Sequence, residues 1–261
     1  MKTKIIFFDI DGTILSHRTD RIAASTIAAI KMAQQNGHLA FINTGRTIAE
    51  IEKEITNVGF DGLICGCGTY ISYHDNVLLH KSIPSELLPT LVKDLLDNKF
   101  EVILEGTSAV YYDDHTTHPR IIKIRDQQIS HNFNVKDLDD PAISFDKFCI
   151  WTASDEGFQN FYDKYKDTFD FIDRKKRFYE VVPKGYSKAT GIEFLLKHLN
   201  IPHENTYALG DSTNDLSMLN FVKHSIAMGN SHEDIRNIVS FVTEDVDQDG
   251  IAYALKHFSI I

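Results

Sequence analysis

The 261-residue sequence is poor in cysteine, in long apolar runs and in positive charge. Its three cysteines, Cys65, Cys67 and Cys149, are too few and too odd in number to staple a secreted fold, which suits a reducing compartment. Cys65-Gly66-Cys67 lacks a second ligand pair nearby, so buried thiols are expected there rather than a metal site. No stretch approaches the roughly 18 apolar residues of a membrane span. Met1-Lys2-Thr3-Lys4 and Ile5-Ile6-Phe7-Phe8 open like a signal peptide, but Asp9 ends the apolar run far short of the roughly 7–15 residues required. The chain is therefore expected to be soluble and cytoplasmic. Lys and Arg number 27 against 37 Asp and Glu, a net charge of −10 whose field repels nucleic acid and anionic membranes. Neither is expected as a partner, and nothing calls for an obligate protein partner. Nucleotide fingerprints are missing too: Gly66-Cys67-Gly68 has Ile71 in the last position of G-x-G-x-x-G, and no G-x-x-x-x-G-K-[ST] loop occurs.

What is present is the mixture of a globular protein, with 43% hydrophobic and 25% charged residues. Short apolar runs alternate with helical patterns, the grammar of an α/β fold around a mainly parallel sheet. Ile5 to Ile10 reads as a buried strand, Ala24 to Asn36 as a helix stopped by Gly37, and Leu39 to Asn43 as a second strand. Thr47-Ile48-Ala49-Glu50 has the form of a capping box that starts another helix, and Leu63 begins a third strand. Later, Ser187 caps a helix with Ile192, Leu195, Leu196 and Leu199 on one face. Strands follow at Thr206–Leu209, Ser225–Met228 and Phe241–Thr243, with a last helix from Gly250. Between Ile83 and Pro183 the pattern differs. A helix (85–98), paired strands (100–105 and 109–113), a less regular stretch through His131, a strand (147–152), a helix (156–166) and a closing strand pair (169–173 and 177–182) suggest a separate α+β insertion.

Asp9 and Asp11 stand at positions i and i+2 where the first strand ends, so both face one site beyond its carboxyl end. Two carboxylates so close repel unless a cation or proton lies between them, and Mg²⁺ fits such a site. Gly12 allows a sharp turn and Thr13 adds a hydroxyl. A plain Asp-Gly turn is the competing reading. Gly210-Asp211-Ser212-Thr213-Asn214-Asp215 follows another strand of the same sheet. There Asp211 could bring a third carboxylate, with Asp215 orienting ligands from behind, although a helix cap of Asp, Ser, Thr and Asn would read the same way. Thr44-Gly45 could cradle phosphate at a helix start. Lys188 falls in the first turn of its helix, where a cation costs about 0.3–1 kcal/mol unless it meets an anion. A solvated lysine is the alternative. His115, His118 and the run Asp173-Arg174-Lys175-Lys176-Arg177 are expected to be solvated. Of the pairs Tyr111-Tyr112 and Phe178-Tyr179, one member each is expected in the core.

Phe8-Asp9-Ile10-Asp11-Gly12-Thr13, Thr44-Gly45-Arg46, Lys188 after Pro183-Lys184-Gly185, and Gly210 to Asp215 resemble, in order and spacing, the four motifs of the haloacid dehalogenase superfamily. The insertion between the second and third motifs resembles that of Cof-type phosphatases with a large α/β cap. Ala227-Met228-Gly229-Asn230 and Asp249-Gly250-Ile251-Ala252 extend the likeness to the end of the chain. The resemblance implies a Rossmann-like core of residues 1–82 and 184–261, with helices on both faces of the sheet, and an inserted cap of residues 83–183. It implies Asp9 as nucleophile, forming an aspartyl-phosphate, and Asp11 as acid then base. It further implies Mg²⁺ held by Asp9, the Asp11 carbonyl and Asp211, and phosphate gripped by Thr44, Gly45, Lys188 and Asn214. The substrate would be a small phosphorylated metabolite, a sugar phosphate or a phosphorylated cofactor. A sugar phosphomutase and a phospho-acceptor module are the alternatives. Asn43, Cys67-Gly68-Thr69, Tyr186 and Ala189 depart from the usual pattern around these motifs, so substrate preference does not transfer.

Overall fold

The structure, a computed structural model, describes residues 2–74 and 76–261. The first part of the chain forms β1 (Ile5–Phe8), α1 (Ala24–Gln35), β2 (Leu39–Asn43), α2 (Lys53–Thr56), β3 (Gly62–Cys65), β4 (Tyr70–Tyr73) and β5 (Asn76–His80). The middle forms α3 (Leu88–Asp97), β6 (Glu101–Glu105), β7 (Val110–Tyr112), α4 (Pro119–Ser130), β8 (Val135–Asp137), β9 (Lys147–Trp151), α5 (Asp155–Tyr165), β10 (Phe169–Asp173) and β11 (Phe178–Pro183). The last part forms α6 (Lys188–Leu199), β12 (Thr206–Gly210), α7 (Leu216–Phe221), β13 (His224–Ala227), α8 (Glu233–Arg236), β14 (Phe241–Val242) and α9 (Gly250–His257). Two compact units result: Met1–Gly45, Lys53–Leu78 and Ser187–Ile261 in one, Arg46–Glu52 and Leu79–Tyr186 in the other. No helix among the described residues is long and apolar enough to cross a membrane.

The sheet of the first unit runs β14-β13-β12-β1-β2-β3-β4-β5, parallel from β14 to β3, with β4 antiparallel to β3. All four residues of β1 are buried, which is why the strand reads as an unbroken apolar run instead of alternating: it is covered on both faces. On α1, Ala29, Ile30 and Ala33 are buried, and α1 packs with α9. On α6 the buried apolar side chains are Ile192, Leu195 and Leu196, spaced i, i+3, i+4, and this helix packs with α7. Full burial of each such side chain contributes roughly 1.5–3 kcal/mol. Ser187 caps α6 by accepting from the Thr190 amide at 3.1 Å, and Asn200 ends it in the left-handed conformation at φ 52°.

The second unit has a sheet in the order β10-β11-β9-β6-β7-β8, antiparallel except for the parallel pair β7 and β8. On one face Leu88, Leu91 and Leu95 of α3 and Phe161 and Tyr165 of α5 share a core with Val102, Leu104, Phe148, Ile150 and Val181. On the other, Ile121 and Ile124 of α4 join Ile103, Val110, Tyr112, Cys149 and Trp151. The stretch expected to be irregular thus holds α4 and β8. Because α4 covers the second face, Tyr111 and Tyr112 are both buried, not one of the two.

The charged run 173–177 joins β10 to β11 as the expected solvated hairpin turn, in which Arg177 makes a surface ion pair with Asp155 at 2.9 Å; Arg174 departs from it by pairing with the buried Glu180. Glu180 also takes an ion pair at 2.7 Å from Lys147, itself buried and paired with Glu105. His115 is exposed, whereas His118 rests against Trp151 with ring centroids 5.7 Å apart.

Candidate active site

The sheet order places the site before any side chain is considered. From β1 the chain builds outward through β2 and β3 on one side, and β12, β13 and β14 build outward on the other. Ligands of open α/β sheets bind beyond the strand ends at such a reversal, where diverging connections leave a crevice. Phe8 is in register with Leu209 of β12 and Ile42 of β2, so Asp9 emerges level with Gly210 on one side and Asn43 on the other. The Asp9 amide donates to the Leu209 carbonyl at 3.1 Å and holds that level. Neighbouring strands lie about 4.8 Å apart, so the groups that follow three strand ends necessarily converge.

Glycine permits the close approach. Gly12 has φ +76°, and a Cβ there would run into the Asp211 carboxylate. At Gly210 a Cβ would lie 2.6 Å from the Asp215 carboxyl group. Asp215 is fully buried; its Oδ2 accepts from the amides of Asp211 at 3.0 Å and Ser212 at 3.1 Å, so the loop wraps around its own carboxylate. The other oxygen, Oδ1, accepts from Lys188 Nζ at 2.6 Å.

Lys188 is the pivot. Its ammonium donates to Asp9 Oδ1 and to Asp215 Oδ1, both at 2.6 Å, and the side chain is 1% exposed. The solvated alternative is thereby removed: the cation in the first turn of α6 is answered by two carboxylates. Asn43 reinforces this geometry, its Nδ2 donating to the Lys188 carbonyl at 3.1 Å and tying the end of β2 to the start of α6. The sequence had marked Asn43 only as a departure. A polar residue closing an otherwise apolar strand is the signal that could have singled it out. Asn230 is a second tie, donating to the Gly12 carbonyl at 2.8 Å and accepting from the Val246 amide at 3.0 Å.

The remaining candidates lie around this centre. Thr44 is buried at the end of β2, its amide donating to the Ile64 carbonyl at 2.9 Å and its carbonyl accepting from the Cys67 amide at 3.2 Å. Gly45 is half-buried, and Asn214, also half-buried, accepts from the Ser212 hydroxyl. Carboxylate oxygens of Asp9, Asp211 and Asp215 lie within 4.8 Å of one another. The carboxylate of Asp11 is not part of that trio, although its charge bears on Asp9 and Asp211.

Three carboxylates against one ammonium leave two excess negative charges in a buried space. Burial first, then the charge of Asp215, pushes the Asp9 carboxyl up to about 7 against the pull of Lys188. Asp211 is pushed up to about 8 by burial and by Asp215 and Asp9. Burial works to lower the Lys188 ammonium, but Asp215 and Asp9 more than offset it and hold it above its ordinary value. Asp9 Oδ2 and Asp211 Oδ1 are buried without a hydrogen-bond partner. Two orphaned oxygens and a two-charge excess fit a hard divalent cation held by oxygen ligands.

Residues 6–255 match the family model of the haloacid dehalogenase-like hydrolases. The chain is 30% identical over 263 residues to YkrA of Bacillus subtilis (strain 168), covering all of both proteins. It is 27% identical over 282 residues to the 5-amino-6-(5-phospho-D-ribitylamino)uracil phosphatase YitU of the same organism, covering 99% of each. Among solved structures it resembles BT1666 of Bacteroides thetaiotaomicron, a phosphatase of the same superfamily, with a TM-score of 0.83 and 28% identity, covering all of this chain and 96% of that one. With its strand-end carboxylates converged on one lysine and its sequence matched almost from end to end, the chain belongs to the haloacid dehalogenase-like hydrolases as a Cof-type phosphatase.

Proposed function

We propose that the protein is a Mg²⁺-dependent phosphomonoesterase that hydrolyses a small phosphorylated metabolite through an aspartyl-phosphate on Asp9. The observation that carries this reading is the state of the Asp9 carboxylate: Oδ1 is gripped by Lys188 while Oδ2 is buried with no hydrogen-bond partner. A nucleophile fixed by one oxygen and left open at the other is what in-line attack on phosphorus requires. In the first step an Asp9 oxygen forms a bond to phosphorus as the ester oxygen leaves, and Asp11 gives that oxygen its proton. In the second, Asp11 takes a proton from water as the water attacks phosphorus, and the Asp9 carboxylate departs. The Thr44 hydroxyl, the Gly45 amide, Lys188 and Asn214 grip the phosphoryl oxygens, whose charge is the main object of stabilisation. Asp215 holds Lys188 in place. Mg²⁺, held by Asp9, the Asp11 carbonyl and Asp211, would neutralise the excess carboxylate charge and polarise the phosphoryl group.

The substrate class is supported by YitU, whose name specifies a phosphorylated ribityl compound. Three buried free thiols, Cys65, Cys67 and Cys149, support a cytoplasmic location. A panel of phosphorylated metabolites tests the reading. Free orthophosphate together with the matching alcohol is the expected product. An isomerised sugar phosphate would replace the hydrolase by a mutase, and a long-lived phospho-Asp9 without release would replace it by an acceptor module.

The metal can be followed without turnover. Asp9 and Asp211 ionise in the folded protein near 7 and 8, far above the ordinary aspartate range near 3.8. Without a cation, the unfolded chain gives up these protons first, so stability falls as pH rises from about 4 to 8. A cation reverses that loss and competes with the protons. Mg²⁺ at about 100 times its dissociation constant should therefore stabilise the first unit by roughly 2.7 kcal/mol. The rise in melting temperature is expected to be larger at pH 8 than at pH 6, and to be largely lost in Asp211→Asn. An equal shift in that variant would place the cation elsewhere.

A further inference from the structure

Asn43 closes a strand that is otherwise apolar, Leu39-Ala40-Phe41-Ile42. It stands level with Asp9, because β1 and β2 pair Phe8 with Ile42. These two neighbours hold opposite ends of one lysine. The Lys188 ammonium donates to Asp9 Oδ1 at 2.6 Å, while the Lys188 main-chain carbonyl accepts from Asn43 Nδ2 at 3.1 Å. Both Asn43 and Lys188 are buried, so solvent does not compete for either bond.

The packing of α6 does not call for this amide. Gly68 brings the turn after β3 so close to the Ser187 carbonyl that a Cβ there would collide with it. Gly191 of α6 leaves room for Ile64 of β3, whose Cγ2 would lie 2.5 Å from a Cβ at that position. Within a helix the carbonyl of residue i is served by the amide of residue i+4, so the Lys188 carbonyl needs no second donor. The amide also carries a cost. Asn43 Oδ1 is buried without a hydrogen-bond partner among the described residues, and an apolar residue at the end of this strand would avoid that penalty. What the amide adds is direction. Apolar burial is non-directional and holds α6 near the sheet, whereas a hydrogen bond to its first carbonyl fixes how the first turn is rotated and thus where the lysine side chain begins. We propose that Asn43 is a positioning residue for the Lys188 ammonium and, through it, for the Asp9 carboxylate. Its consequence for turnover rests on the phosphatase reading above. Asn43 bonds the main chain of Lys188, not the reacting atoms, and acts through the side chain that reaches them.

A double-mutant cycle tests this, because Lys188→Met keeps the main-chain carbonyl that Asn43 holds and removes only the ammonium. In the parent background, Asn43→Ala is expected to lower kcat/KM for an aryl phosphate by about 10- to 100-fold, the range for a misplacement of about 1 Å. Orthovanadate inhibition, which reads the grip on the trigonal-bipyramidal phosphoryl geometry, should weaken by a similar factor. In Lys188→Met the same substitution should change kcat/KM by less than about threefold, since the group it positions is gone. The urea midpoint at pH 8 is a second readout that needs no turnover: Asn43→Ala should lower it further in the parent than in Lys188→Met. Parent-like kcat/KM and orthovanadate inhibition in Asn43→Ala would overturn the proposal. So would equal factors of loss in the two backgrounds, the mark of a tie that serves the helix alone. Should Asn43→Ala fail to fold, Asn43→Thr takes its place, a residue suited to a strand and lacking the amide. If Lys188→Met does not fold, the losses in the parent background decide. Absence of turnover in the parent would instead fault the phosphatase reading; the urea cycle then decides, and equal midpoint shifts in the two backgrounds would remove the role of Asn43.

Discussion

Asp9→Asn is expected to lower orthophosphate release from an aryl phosphate by roughly 10⁴-fold or more, because an amide oxygen does not displace an alkoxide from phosphorus and no other carboxylate shares its position. The fold should survive. Lys188 keeps its bond to Asp215, and the substitution removes one of the two excess negative charges of the buried cluster. Burial is the first cause of the raised ionisation of Asp9, so a neutral group of the same shape is better tolerated there in the absence of a cation. The measurement is therefore paired: turnover collapses while the melting temperature in metal-free buffer holds or rises. Turnover comparable to the parent's would remove Asp9 from the reaction.

Lys188→Met is expected to damage both activity and stability. Methionine nearly matches the length of lysine but leaves Asp9, Asp211 and Asp215 with no cation among them. Breaking a buried ion pair from one side typically costs about 3–5 kcal/mol, since the uncompensated charge stays in the interior. Loss of the ammonium from the proposed phosphoryl grip should cost a further factor of about 10²–10³ in kcat. The sign of the pH effect follows from the same cluster. Lys188 pulls the Asp9 carboxyl down against burial, so its removal moves the acidic limb of the pH–rate profile upward. Urea unfolding at pH 8 reads the stability loss, which should shrink as pH is lowered and the carboxylates take up protons. An unchanged unfolding midpoint at pH 8 would contradict the triad seen here.

Much of the site was legible because its residues sit where short-range rules are strict. Asp9, Thr44 and Asp211 each follow an apolar strand, and strand ends are marked by a change from apolar to polar residues within one or two positions. The capping box at Thr47 and the helix cap at Ser187 were visible for the same reason, although the first closes only a 3-10 turn. The fate of Lys188 was not visible. A lysine in a first turn reads alike whether it is solvated or buried between two carboxylates, and Asp9 and Asp215 lie 179 and 27 residues away in the chain.

The middle of the chain was less legible. The stretch Pro119–Ser130 carries Ile121, Ile122, Ile124 and Ile129, β-branched residues of modest helix propensity, and it shows no clean apolar face. Proline in its first turn was the available start signal. Packing against Val110 and Tyr112 makes it a helix and buries Tyr112, while Tyr111 is buried in the core on the opposite face. Likewise Arg46–Glu52 follows the core motif Thr44-Gly45 in sequence but is bonded to Gln128, a partner that local pattern does not indicate.

By itself, then, the sequence determined the α/β alternation, the strand ends that carry polar groups, and the order of the four motifs, because these depend on neighbours a few residues apart. Only the tertiary structure decided that Asp9, Lys188 and Asp215 share hydrogen bonds, that Asn43 ties β2 to α6, and that Glu50 is buried beneath Gln128. Each of these depends on sheet order and on which faces are covered, and the cost of burying a charge is settled only when its distant partners arrive.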